Sequence, residues 1–391
     1  MKFRHLATAS MLLSACAAHA QSSVTLFGVA DESVVYVNNQ RTGGANSSGA
    51  SNWLVNSGSV TTSRWGLRGN EDLGGGLAAV FWLENGFNVS SGKLNNGGDL
   101  FGRQAYVGLT DNRVGALTLG RQYDFLVDYL APLSAVGAGF GGNFADHPYD
   151  NDNLANDLRL NNSIKFSSVA FDGFRAGAMY GFSNDAGAFA NNRAYSLGAS
   201  YAYGPLNVGA AFLQIDRAAG AANANATGTA STGDTNVLTT GGRQQIYGVG
   251  AKYLFGKSQV GFVWTHSSTN DVTGIWQGGS IAALNGSNMK FDNFEVNGRY
   301  FLTPAFSLGA SYTYTMGQFD AVSGTLKPKW NQVMGQADYQ LSKRTDLYLE
   351  GVYQHVSGGG GNPAFDAGVF SLTPASGSEQ VVVALGMRHR F

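Results

Sequence analysis

The segment Val381–Phe391 reads VVVALGMRHRF and splits cleanly when taken in twos. Val381, Val383, Leu385, Met387, His389 and Phe391 fall on one face; Val382, Ala384, Gly386, Arg388 and Arg390 fall on the other. The first face is mostly apolar and the second is small or cationic. Side chains alternate across a strand with a period of two, so this segment reads as a strand. An apolar face that closes on Phe391 raises the question of which solvent it meets.

The same period recurs through the chain. Phe306, Leu308, Ala310, Tyr312, Tyr314 and Met316 alternate with Ser307, Gly309, Ser311, Thr313 and Thr315. Phe174, Ala176, Ala178, Tyr180 and Phe182 alternate with Arg175, Gly177, Met179 and Gly181. No convincing helix-period segment follows residue 20. Short turns occur at Glu71–Gly75, Asp111–Gly115, Val169–Gly173, Tyr203–Pro205, Phe255–Ser258, Leu302–Ala305 and Leu341–Arg344. Between them lie long connections rich in Gly, Asn and Ser, at about 38–58, 89–98, 123–158, 184–193, 217–242, 269–288, 318–328 and 357–377. Seven short turns and eight long loops imply sixteen strands.

Composition says what surrounds them. The 391 residues include 55 Gly, 17 Tyr and 24 Phe but only 7 Pro, and 13% are charged. That is about half the usual share of charge in a soluble protein, yet the mean hydropathy is −0.10. Uncharged polar residues have replaced the charges, as expected with lipid outside and water inside. No stretch reaches the roughly 18 apolar residues of a spanning helix. An all-β antiparallel transmembrane barrel of sixteen strands fits. Lipid offers no partner to a backbone N–H or C=O, so a sheet persists there only by closing on itself. A soluble sandwich would also alternate, but without the systematic asymmetry of short turns and long loops. Aromatics near strand ends, such as Tyr201, Tyr203, Tyr253, Tyr300, Tyr339 and Phe391, suit interfacial girdles.

Residues 1–20, MKFRHLATASMLLSACAAHA, have a cationic start, a short apolar core and an Ala18-His19-Ala20 cleavage pattern. They read as a secretory signal peptide, leaving 21–391 as one barrel domain. Leu13-Ser14-Ala15-Cys16 also fits a lipoprotein cut, with Cys16 as anchor. Against that, a strand begins immediately after Ala20, leaving no tether. Removing Lys2 and Arg4 takes the formal charge from −1 to −3, which gives no basic bulk for nucleic acid.

Several segments together resemble the Gram-negative general porins of the neisserial and betaproteobacterial type. They are the opening QSSVTLFGVAD from Gln21, SRWGLRGNEDLGGGLAAVFWLENGF from Ser63, LFGRQAYVGL from Leu100, LTLGRQYD from Leu117, RLNNSIKF from Arg159, LSKRTDLYLEGVYQH from Leu341 and the closing GMRHRF. The resemblance implies an outer-membrane homotrimer, embedded in lipid and lipopolysaccharide, that passes small hydrophilic solutes and ions by diffusion. It also implies that the third long loop, 123–158, folds into the lumen opposite a wall of arginines. A terminal Phe strand of this kind, here ending at Phe391, is implied to be read by the insertion machinery.

Alternation places Arg64 and Arg68 on one polar face, and Arg159 and Lys165 on another, pointing into the lumen. Facing lipid, each would cost about 2–4 kcal/mol near the midplane. Arg103 and Arg121 are assigned to the constriction by resemblance, although strict alternation groups them with Ala105, Val107, Leu117 and Leu119. Either a bulge changes the parity or the register loosens at these strand ends. In the loop, GAGFGGNF from Gly137 is followed by DHPYDNDNLAND from Asp146. Related porins often carry an acid just before Phe-Gly-Gly. Here that position is Gly139, before Phe140, and no acid occurs between Asp128 and Asp146. The expectation is a weak to moderate preference for anions; inward-bent Asp146, Asp150 and Asp152 would reverse it.

A barrel enzyme would need a Ser/His or Asp/His cluster, whereas His147, His266, His355 and His389 fall in separate places. A substrate-specific channel, or an adhesin or receptor built on the same barrel, is the alternative function. No phosphate loop, metal-ligand spacing or nucleotide fingerprint occurs, so no cofactor is expected.

Overall fold

A computed structural model describes residues 23–217, 228–230, 239–277 and 280–391. The expected signal peptide and most of the expected loop 217–242 lie outside the described residues. Most of the described residues form one antiparallel sheet. Three wall strands are each interrupted once, so nineteen hydrogen-bonded segments make sixteen strands.

These are β1 (Ser23–Arg41), β2 (Gly49–Ser57 and Arg64–Gly74), β3 (Leu77–Gly86), β4 (Gln104–Asp111), β5 (Gly115–Gln122), β6 (Leu160–Ser168), β7 (Phe174–Gly181) and β8 (Arg193–Tyr203). They continue as β9 (Leu206–Asp216), β10 (Thr239–Thr240 and Gln244–Phe255), β11 (Ser258–Gln277), β12 (Ser280–Phe301), β13 (Phe306–Ala321), β14 (Gly324–Leu326 and Lys329–Gln340), β15 (Thr345–Ser357) and β16 (Glu379–Arg390). Each pairs with its chain neighbour, and β16 closes on β1 from Val29↔Arg390 to Val37↔Val382. Closure removes both sheet edges, the condition for a sheet in lipid.

The alternation of Val381–Phe391 has a direct counterpart in exposure. Val383, Leu385 and Met387 point outward and are exposed, whereas Val382, Ala384 and Arg388 are buried toward the interior. Phe391 continues the seam past the last strand: its N–H donates to the Gly28 carbonyl at 3.0 Å, and Gly28 N–H donates back to its carbonyl at 3.1 Å. A Cβ on Gly28 would fall 2.3 Å from the Phe391 ring, so only glycine lets the ring lie across β1.

The wall is uneven. β4, β5 and β7 have 8 residues each, near the length that just spans a bilayer. β11 and β12 have 20 and 22. Much of the loop expected at 269–288 is therefore sheet. Its Gly, Asn and Ser content suggested a coil, but Val272, Ile275, Leu284 and Met289 turn inward and pack with Tyr149 and Phe365. That apolar contact rewards continued pairing. The expected loops 38–58 and 318–328 likewise contain sheet, at Gly49–Ser57 and Gly324–Leu326.

The apolar core of this barrel lies between the wall and the segment 123–158. Phe125, Leu126, Leu130 and Leu133 pack against Met179, Leu213, Ile246 and Val263. Phe140 and Phe144 pack with Val35, Val37, Met334 and Val352.

Candidate constriction and its charges

β2, β3 and the approach to β4 bring three charged side chains together on the interior face. Register pairs Val29 with Arg64, and Arg64 with Gly86 two positions beyond Glu84. Glu84 accepts from Arg103 Nε at 2.6 Å and lies 3.5 Å from Arg64 Nε. Trp82 Nε1 and Gln104 Nε2 donate to its other oxygen at 2.8 and 3.3 Å. One buried carboxylate thus orients two arginines. Arg103 lies one residue before β4 begins at Gln104, so strand alternation does not govern it, and its side chain turns inward.

Arg159 joins them through the far end of the loop. Arg103 and Arg159 both donate to Asn156 Oδ1, at 3.1 and 3.2 Å. Both guanidiniums also face the Tyr123 ring, with Cζ 6.0 and 5.5 Å from its centroid. Three guanidiniums meet here, two on Glu84 and the third joined through Asn156, with Asp157 nearby. The balance is cationic, and Arg64, about a third exposed, is the most open of the three.

The other expected cations sit elsewhere. Lys165 Nζ is 2.6 Å from Asp128 and donates to the Tyr123 carbonyl at 2.7 Å, so its charge is matched by the start of the loop. Arg68 is on the interior face four residues nearer the β2–β3 turn. Arg121 pairs with Ala105 of β4 and is half-buried. It donates to the Gly102 carbonyl at 2.8 Å and to the Asn161 side chain. The register with β6 shifts between Gly120 and Gln122, at Arg121 itself.

The loop residues divide sharply. Gly139 has φ +82° and open space where a Cβ would point. Phe140 is fully buried against Gly309, whose added Cβ would come within 2.7 Å of its ring. Asp146, Asp150 and Asp152 are all buried. Asp150 accepts from the N–H groups of Ala155 and Asp157 at 3.0 and 3.2 Å. Asp146 accepts from His147 N–H at 3.0 Å. Burial, with neighbouring acids adding to it, pushes the pKa of both well above the ordinary carboxylate value.

Asp152 belongs to a different arrangement. His147 Nδ1 lies 2.6 Å from it, and Nε2 lies 3.0 Å from Glu295 on β12. Burial alone would lower the imidazole pKa; Asp152 and Glu295 more than offset it and raise it to about 10. Burial likewise acts to raise Asp152, but His147, Thr265 and backbone N–H groups bring it below its ordinary value. Glu295 also accepts from Ala135 N–H at 2.8 Å and from Asn297 at 2.6 Å. Further bonds tie the loop around the wall: Asn143 donates to the Gly58 carbonyl at 2.7 Å, Gln332 to the Asp146 carbonyl at 2.9 Å and Tyr149 to the Ala364 carbonyl at 2.8 Å.

The sequence matches the Gram-negative porin family over residues 7–359. The chain belongs to that family. It is 32% identical to an outer membrane porin protein of Bordetella pertussis, with all of both chains covered. In structure this porin is similar to an anion-selective porin from Comamonas acidovorans, at 26% identity and TM-score 0.70, covering 95% of this chain and 100% of the other. It also shares its fold with the trimer form of the outer membrane protein OmpT of Vibrio cholerae, at 18% identity and TM-score 0.63, covering 95% and 99%. This porin is therefore an outer-membrane channel of a Gram-negative cell. Its fold and family are those of a channel rather than an enzyme.

Glu84, Tyr123, Asn156, His147 and Glu295 were not among the expected site residues. Glu84 was accessible: it shares the face of Trp82 in FWLENGF from Phe81, an acid two positions beyond an inward ring. Tyr123, Asn156 and His147 lie in the loop, where no periodicity points to a partner.

Proposed function

We propose that this porin passes small hydrophilic solutes and ions by diffusion and prefers anions, weakly to moderately. The carrying observation is the Arg64–Arg103–Arg159 group, tied together by Glu84 and Asn156, with Asp146, Asp150 and Asp152 buried rather than facing it. Arginines there stay charged at any working pH. Segment 123–158 acts as the constriction loop, and the wall cations and Gly139 border what it leaves open. The anion selectivity named for the Comamonas relative supports this reading. Reversal potential across a planar bilayer in a KCl gradient tests it: a chloride-directed potential is expected, and potassium selectivity overturns it.

The working unit is a homotrimer set in lipid and lipopolysaccharide. The low wall β4–β7 exposes Val107, Leu109, Leu117 and Leu119, an apolar face suited to a neighbour. Chemical cross-linking in mild detergent should yield three subunits; a conducting monomer would count against it. The signal peptide is removed after Ala20. Phe391 serves assembly through its bonds across the β1–β16 seam, so deleting it should lower outer-membrane insertion more than the conductance of inserted channels.

A further inference from the structure

Arg68 differs from every other interior cation described above. Register pairs it with Thr25 on β1 and Trp82 on β3, which fixes it on the interior face. Its guanidinium carbon lies 5.7 Å from the Phe27 ring centroid and 5.6 Å from that of Trp82. Those rings are themselves 4.8 Å apart and tilted by 50°. The indole is held in place by its 2.8 Å bond to Glu84. Among the described residues Arg68 makes no ion pair, and it is exposed. Arg64 and Arg103 share a carboxylate and Lys165 has Asp128; Arg68 has only aromatic faces.

A guanidinium over rings keeps its edge N–H groups available for two parallel bonds to a carboxylate. The space it faces is a cavity of about 350 Å³ lined by Asn70, Trp82, Tyr106, Thr110 and Thr118. Trp82 and Tyr106 are direct cross-strand partners, so two aromatic side chains sit beside that edge. Along β2, four residues separate Arg68 from Arg64, about 13 Å at the usual strand rise. The cavity is thus a second station, on the periplasmic side of the Arg64–Arg103–Arg159 group.

We propose that Arg68, Trp82 and Tyr106 form a binding subsite for small planar carboxylates with an aromatic body, the carboxylate on Arg68 and the ring against the side chains of Trp82 and Tyr106. The inference rests on the reading of the lumen as an anion pathway. A bare anion gains only the charge at this site. An aromatic carboxylate gains ring contact as well, enough for about fivefold.

The test is block of single-channel current through the full-length porin, with probes added on the periplasmic side. Benzoate, acetate and benzyl alcohol separate ring-plus-charge, charge alone and ring alone. Benzoate should halve the current at a concentration about fivefold or more below acetate, and benzyl alcohol should not block. Trp82→Leu should bring the benzoate-to-acetate ratio close to one, and Arg68→Ala should abolish block by both, each normalised to that variant's own KCl current. Equal potency of benzoate and acetate on the wild type overturns the proposal without needing any variant to fold. So does a ratio that survives both substitutions. Wild-type channels that conduct and select chloride while showing equal potency defeat the subsite alone; channels that fail to conduct or select potassium defeat the underlying reading.

Discussion

The two sides of the lumen hold charge in opposite ways. On the β2–β6 side, Arg64, Arg103 and Arg159 outnumber the acids beside them, and Arg64 is partly open. On the β11–β14 side, His147, Asp152 and Glu295 are buried, and each of the three has an oppositely charged partner within 3.0 Å. The dry side spends its charges on holding a loop. The wet side leaves a surplus that a passing ion can feel. Buried charges need matching because low dielectric makes an unpaired one costly; charges beside water do not. Burying Asp146, Asp150 and Asp152 away from the arginines therefore leaves the cationic half with a surplus.

Breaking the dry side should have the largest effect. Glu295→Ala leaves His147 Nε2 and the Ala135 N–H without an acceptor while Asp152 still holds Nδ1, and each buried donor left unsatisfied costs about 1–3 kcal/mol. The urea unfolding midpoint should fall, and current through inserted channels should become noisy; a quiet channel with an unchanged midpoint would show that the loop is held without this network.

Alkali should reach the same network without mutation. The His147 pKa is raised in the folded state to about 10. Its stabilisation is therefore complete below the ordinary imidazole value and is lost as pH rises through about 10. Asp152, held below its ordinary value, has its stabilisation present above that value and loses it as pH falls through the lowered one. Loop closures in single-channel records should stay rare through neutral pH and rise between about pH 9 and 11. His147→Gln should remove that alkaline step.

The wet side is sharpened by smaller changes. Arg103→Ala removes a cation but leaves Glu84 to Arg64. A charge roughly 7 Å from a passing ion at near-aqueous screening contributes under about 1 kcal/mol, so the chloride-to-potassium permeability ratio should fall about twofold to fourfold. Gly139→Asp should act least. Its carboxylate would enter open space, lowering the same ratio by less than about twofold, while the left-handed backbone at φ +82° costs about 1 kcal/mol of loop stability. A ratio unmoved by both substitutions would place the selectivity filter elsewhere.

How much of this was legible in the sequence differs residue by residue. Arg64 and Arg68 follow the period of their strand, and register puts both inside. Alternation was the wrong guide for Arg103, because it stands just outside the strand that supplied the count. Arg121 stands at a register shift that strict alternation could not count across, and it bonds to Gly102 and Asn161, neighbours in sequence of Arg103 and Arg159. For the loop acids, sequence left open whether they face the pore. Their burial depends on backbone N–H groups and on a histidine whose second partner, Glu295, is 148 residues away.

A closed barrel, the lipid-facing side of its clearest alternating strands and the presence of interior arginines can be read from the chain alone. Those follow from local rules: period two, turn chemistry and the cost of charge or unpaired backbone in hydrocarbon. Which acid neutralises which cation, and which arginine is left on bare rings, emerges in three dimensions. Charges pair across strands and loops that are distant in the chain, and ångström differences in register settle whether a guanidinium meets a carboxylate or a tryptophan.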